Sequence, residues 1–133
     1  GHLVEMLAAA GVDARLDPTA IPALEGVLAL LERGITSSLH AGNRAALTAL
    51  APDGAAPEAA LAALLVDPQT AGGLLAGLPP DRAASCLAEL GRLGYCAAEI
   101  GVVASRSGIA PTIRLDPDCL RAAHRAAPLA AES

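Results

Sequence analysis

The spacing of apolar residues changes at Gly11, and that change limits the fold more than any other feature of the chain. Before it, Leu3, Met6, Leu7 and Ala10 recur on one helical face and Gly11 stands where a left-handed C-terminal cap is wanted, which predicts a helix over residues 2 to 10. After it, Val12, Ala14 and Leu16 alternate with Asp13, Arg15 and Asp17, the pattern of a half-buried strand with its acids and arginine turned outward. Direct passage from helix to strand belongs to the mixed α/β (α+β) class, with helices packed on a small mixed sheet. The natural sheet partner of the opening helix is expected to lie upstream of Gly1, so the first strand of such a fold is expected to be missing.

The rest of the chain continues the alternation. Leu24, Val27, Leu28 and Leu31 form a helical stripe closed by Gly34, which predicts a helix over about 23 to 33. Ile35 to Arg44 has no period and is rich in Ser, Gly, His and Asn, so it reads as an ordered loop, with Asn43 able to cap a short helix through Ala46, Leu47 and Leu50. Residues 51 to 60 carry two prolines and a glycine and read as a variable surface connection. Leu61 to Val66 is a short apolar run, helical or extended, leading into a turn over residues 67 to 73, and Leu74 to Leu78 is predicted as a buried strand. Pro79, Pro80 and Asp81 start a helix whose buried face is Ala83, Cys86, Leu87 and Leu90, and Gly94 ends it. Glu99 to Ala104 and Thr112 to Leu115, joined by a polar loop with Arg106, Ser107 and Gly108, are predicted to pair as a hairpin. Residues 1 to 115 are taken as one domain and 116 to 133 as a flexible tail.

Composition narrows the function classes. There is no Phe or Trp and one Tyr, Tyr95, so Leu, Val and Ile must fill the interior. A net charge of −5 without aromatic platforms argues against a nucleic-acid surface. The longest apolar run, Ala59 to Val66, is eight residues against the ~20 of a membrane span, so no membrane segment is expected. Cys86, Cys96 and Cys119 have neither metal nor redox spacing and are expected to pack as small hydrophobes in a reducing cytoplasm. All nine basic residues are Arg, which removes any lysine base, Schiff-base lysine or phosphate-loop lysine from this chain.

The stretch Asp67-Pro68-Gln69-Thr70-Ala71-Gly72-Gly73-Leu74-Leu75 is the most informative for chemistry. Pro68 fixes a backbone angle, Gln69 and Thr70 can satisfy loop amides, and Gly72 and Gly73 let another backbone or a phosphate approach. Read from physics alone it is an architectural turn, since neither a dinucleotide fingerprint nor a phosphate loop has this glycine spacing. Arg44 at a helix start is chemically suited to a phosphate, and it shares with Ser37, Ser38, His40 and Asn43 the one polar loop that could reach such a ligand, although that loop reads first as plain surface. His2, His40 and His124 are too dispersed for a metal site.

The same stretch resembles a signature of selenophosphate synthetases (selenide, water dikinases), which runs Asp-Pro-Gln-Thr, a small residue, two glycines and apolar residues. Further similarity lies in Gly1-His2-Leu3 with Glu5-Met6, in Ala14-Arg15-Leu16-Asp17 followed by Ala20-Ile21-Pro22, in Ser37-Ser38-Leu39 with Asn43-Arg44, and in Gly94-Tyr95. It covers roughly residues 1 to 115 and implies the C-terminal domain of an enzyme of the aminoimidazole ribonucleotide synthetase-like superfamily. The resemblance implies an ATP- and magnesium-dependent parent that converts selenide, ATP and water to selenophosphate, AMP and phosphate, working as a homodimer. In that family the reactive Cys or Sec, a Lys and the magnesium aspartates lie in an N-terminal domain, which would be the partner of this chain. No catalytic or metal residue is therefore expected here, nor a tightly bound cofactor. Asn43, Arg44, Gln69, Thr70, Gly72 and Gly73 are the candidate cofactor-binding residues of this chain. The alternatives are a stand-alone module that binds a phosphate ligand or a protein through the Ser37 to Arg44 loop, and a truncated product with no retained role.

Overall fold

A computed structural model describes residues 1–68 and 73–126. Helix α1 (His2–Ala10) ends at Gly11, whose left-handed φ of 68° lets its amide reach back to the last carbonyls of the helix, and strand β1 (Val12–Leu16) follows at once. Strand β2 (Gly101–Ser105) pairs antiparallel with β1, Val12 opposite Ser105 and Leu16 opposite Gly101. Strand β3 (Ile113–Leu115) pairs parallel on the other side, Ala14 opposite Ile113 and Leu16 opposite Leu115. The order is β2-β1-β3, so the predicted hairpin is corrected: β2 and β3 flank β1 and do not pair with each other. The sequence distance between them fits either arrangement, and in the fold the backbone of β1 pairs with one of them on each of its two edges.

Asp13 fixes the crossover from β2 to β3. Its carboxylate accepts hydrogen bonds from the Ser107 amide (2.8 Å), the Ser107 hydroxyl (2.7 Å) and the Thr112 amide (2.8 Å). Arg106 lies 3.5 Å from the same carboxylate and donates to the carbonyls of Leu7, Val12 and Ile109, fastening α1, β1 and the loop together. Asp13 is 5% exposed, so its expected place on the outward face is corrected: the loop covers it. These donors hold its carboxyl well below the usual carboxylate range, the Ser107 hydroxyl foremost.

Leu7, Ala14, Leu16, Ile113 and Leu115 form the core, with Leu3, Val4, Val12, Ala49, Leu50 and Ile100 around it. Gly101 is demanded by close approach: a Cβ there would stand 2.2 Å from the Arg15 carbonyl oxygen. The segment after Leu50 is not a free connection, because Leu50 bridges Ile113, the Ala51 amide donates to Ile113 and the Ala55 amide to Leu115. It covers the outer edge of β3, which the prolines and glycine at 51 to 60 did not reveal.

Helix α2 (Val27–Glu32) is shorter than predicted because Gly26, at φ 80°, delays its start and leaves Leu24 largely exposed. It packs on helix α4 (Ala59–Leu65), which shows the Leu61 to Val66 run to be helical. Between them lie a single turn, α3 (His40–Asn43), and a 3-10 helix over Arg44–Ala49, where a loop and a short helix were expected. Helix α5 (Pro80–Arg92) forms as predicted, but its stripe of Ala83, Cys86, Leu87 and Leu90 is only half-buried. Leu74 to Leu78 is not a strand and Leu74 is fully exposed: the three-stranded sheet forms from β1, β2 and β3 without this segment. Residues 119 to 126 are not a frayed tail: helix α6 (Cys119–Ala126) lies against β2, and Cys119 is 2% exposed beneath it. Cys96, by contrast, is exposed rather than packed. No helix among the described residues is long and apolar enough to cross a membrane.

Candidate functional site

The polar loop before α4 is shaped by its own side chains. The Ser37 hydroxyl accepts from the Leu39 amide (3.3 Å), the chain makes the single turn of α3, and the 3-10 helix carries Arg44 to Ala49 onward to β3. Asn43 was expected to cap that helix, and it does not. Its side-chain amide instead donates to the Val66 carbonyl across 3.0 Å, twenty-three residues away. Val66 ends α4 and is 5% exposed, and Asp67-Pro68 follow it directly. One hydrogen bond thus ties the Ser37 to Arg44 loop to the start of the Asp-Pro-Gln-Thr turn. No spacing in the sequence could have found that contact, since Asn43 and Val66 belong to separate elements.

Of the six candidate cofactor-binding residues, Asn43, Arg44 and Gly73 are described, while Gln69, Thr70 and Gly72 lie outside the described residues. Gly73 is exposed, and a Cβ there would meet nothing within 4 Å, so no described part of this chain demands a glycine at that position. Arg44 is exposed and no ion pair joins it to a described carboxylate, unlike Arg92, Arg106, Arg114 and Arg121, which face Glu89, Asp13, Asp53 and Asp118. His40 and Arg44 line a cavity of about 130 Å³ whose remaining wall is Leu47, Ala59, Ala62 and Ala63. The Nδ1 of His40 is shielded from solvent and has no hydrogen-bond partner among the described residues.

Several carboxylates are engaged in holding the fold. Asp17 accepts from the Thr19 hydroxyl (2.6 Å) and amide (2.9 Å), which lowers its pKa, and Asp53 is lowered by the Arg114 guanidinium on the covered edge of β3. Burial pushes the Cys119 thiol up, with Asp116 and Asp17 adding to the effect, so it stays protonated and inert. Among the described residues no group of three His, Cys, Asp or Glu side chains could hold a metal ion. The arrangement offers a cation, an imidazole and small apolar walls, which suits binding an anion rather than activating a nucleophile.

The family described as AIR synthase related protein, C-terminal domain, matches residues 1–114. Selenide, water dikinase of Bordetella bronchiseptica is 40% identical over 108 residues, 80% of this chain and 30% of that protein. That of Myxococcus xanthus is 40% identical over 112 residues, 82% of this chain and 31% of the relative. That of Pseudomonas straminea is 34% identical over 113 residues, 85% of this chain and 31% of its own length. The chain therefore spans about a third of the length of the curated relatives it matches.

Proposed function

The chain belongs to the family of AIR synthase related protein C-terminal domains, as a selenophosphate synthetase C-terminal domain, and on that premise we propose that it closes the active-site cleft of an ATP-dependent enzyme making selenophosphate. The single observation that carries this reading is the Asn43–Val66 hydrogen bond, which ties the loop of Arg44, a guanidinium with no ion pair among the described residues, to the residue that precedes Asp67-Pro68. In the parent, Arg44 and the turn with Gln69, Thr70, Gly72 and Gly73 face the nucleotide phosphates, and Asn43 holds the two segments in register. Exposed Leu74, Leu75 and Leu78 directly after the turn offer an apolar surface for the N-terminal domain to cover, and the parent works as a dimer in the cytoplasm.

In-line transfer from a triphosphate needs cations on the developing charge and a positioned nucleophile. Arg44 fits the phosphates. Asp13, Asp17 and Asp53 are taken by donors of the fold, and in this reading magnesium is held by carboxylates of the N-terminal domain. The division of labour predicts that this chain alone turns over no ATP, and that joining it to the N-terminal part restores selenide-dependent AMP formation. In the joined protein Arg44→Gln lowers that rate. Unaided turnover by the 133-residue chain, or an unchanged rate in Arg44→Gln, refutes the assignment. Micromolar binding of ATP with magnesium to the isolated chain would favour a stand-alone binding module instead.

A further inference from the structure

The two outer edges of the sheet differ. That of β3 is covered, since the Ala51 amide donates to the Ile113 carbonyl and the Ala55 amide to that of Leu115. That of β2 is open. The Asp17 amide donates to the Ile100 carbonyl, so by the alternation of an antiparallel pair Ile100, Val102 and Ala104 bond to the β1 side, and the amides and carbonyls of Gly101, Val103 and Ser105 point away from it. Among the described residues no backbone hydrogen bond reaches those outward groups. Protein sheets blunt such edges with charges, prolines or bulges. Strand β2 reads Gly-Val-Val-Ala-Ser in unbroken register with β1, so it has none of the three, and Val103 at its centre is 60% exposed. The chain's own spare apolar segment, Leu74 to Leu78, stays out of the sheet.

We propose that the open edge of β2 pairs with the same edge of a second copy of this chain, antiparallel about a two-fold axis at Val103. The outward groups set the register. Val103 stands opposite the partner's Val103, and Gly101 and Ser105 stand opposite the partner's Ser105 and the partner's Gly101, so each pair exchanges both bonds and every outward group is served. Charge agrees with it: β2 itself carries none, and Glu99, just before the strand, comes beside the partner's Ser107, next to the partner's Arg106, so no like charges meet. Five residues a side is far below the ~20–30 of a standard interface, so the free chain associates weakly, with a Kd of about 0.1–1 mM. The role of the contact rests on the dimer of the functional reading above, in which a tethered pair of domains meets at an effective concentration of about millimolar. There the edge contact joins the two C-terminal domains through one continuous sheet.

The test is nuclear magnetic resonance of the 133-residue chain from micromolar to millimolar concentration, reading translational diffusion and amide hydrogen exchange. As concentration rises, diffusion slows and the amides of Gly101, Val103 and Ser105 gain protection, while those of Val102 and Ala104, bonded to β1, are protected throughout. Val103→Lys puts a charge at the centre of the edge and weakens association at least about 10-fold, and at this exposed position it leaves the circular dichroism of the dilute chain unchanged. Val103→Pro removes one outward amide that β1 does not use, and weakens association likewise. A chain that stays monomeric at millimolar concentration, or variants that associate as well as wild type, overturns the proposal. Protection of Val103 that does not depend on concentration also overturns it, because the edge is then taken by another segment of the same chain. If the chain stays monomeric while the joined protein still forms AMP in the presence of selenide, the edge contact alone is refuted and the functional assignment stands.

Discussion

Replacing Asn43 with alanine removes one hydrogen bond and keeps everything else in the clamp between the polar loop and α4. The bond is neutral and 3.0 Å long, and its acceptor belongs to a residue only 5% exposed, so its loss leaves a carbonyl poorly served by water. Such a bond contributes about 0.5–1.5 kcal/mol net, and a buried acceptor left unserved puts this one in the upper half of that range, about 1–1.5 kcal/mol, of which the better helix propensity of alanine at the end of α3 returns ~0.5 kcal/mol. The expected net loss is therefore about 0.5–1 kcal/mol. With 133 residues and an unfolding entropy of ~2.1 cal/mol/K per residue, 1 kcal/mol corresponds to ~3.6 °C, so Tm should fall by about 2–4 °C. Asn43→Asp should be worse at neutral pH, because an ionised carboxylate would then face the Val66 carbonyl with no proton to share. Thermal unfolding followed by circular dichroism measures both. An Asn43→Ala protein melting within half a degree of wild type (about the resolution of such data), or an Asn43→Asp protein as stable as the parent sequence, would show that the clamp does not form and that the loop and the turn are independent.

Asp13 has a folded-state pKa depressed by its three donors, so its contribution is fully present above the unfolded carboxylate value near ~3.9 and is lost as pH falls below it. Acid unfolding should therefore be shallower in Asp13→Asn than in wild type, and parallel curves would refute this. Gly101→Ala drives a methyl group into the Arg15 carbonyl and should lose about 1–3 kcal/mol in urea unfolding, whereas Gly91→Ala, inside α5 with open space around it, should gain up to ~1 kcal/mol. Leu115→Ala, at 3% exposure in the five-residue core, should lose about 2–5 kcal/mol by the same measurement, while Leu74→Ala, at a fully exposed position, should change the isolated chain by less than ~0.5 kcal/mol.

Part of the site was legible before any coordinates. Arg44 and the turn at residues 67 to 73 stood out because their residue types are unusual in that setting, and type is a local property. The anchoring of the loop was not legible, because Asn43 reads equally well as a helix cap and as a long-range donor. His40 was hidden for a related reason: a histidine on a polar loop becomes informative only when its Nδ1 is found shielded and without a partner among the described residues beside a cavity. Asp13 and Arg106 were missed as organisers since alternation along β1 assigns Asp13 to the outer face, and only the returning loop turns that face into an interior.

The sequence by itself determined what is set by near neighbours. Helix α1 with its Gly11 cap, strand β1 and helix α5 all follow from side-chain period, capping and proline placement within a few residues. Tertiary structure decided what depends on competition for shared edges and faces. Both β2 and β3 could have paired with each other, yet β1 took a side of each, the segment after Leu50 took the free edge of β3, and Leu74 to Leu78 was left without a partner. A strand has only two edges, so which segment occupies each one is settled between distant parts of the chain, and periodicity records the wish to pair without naming the partner.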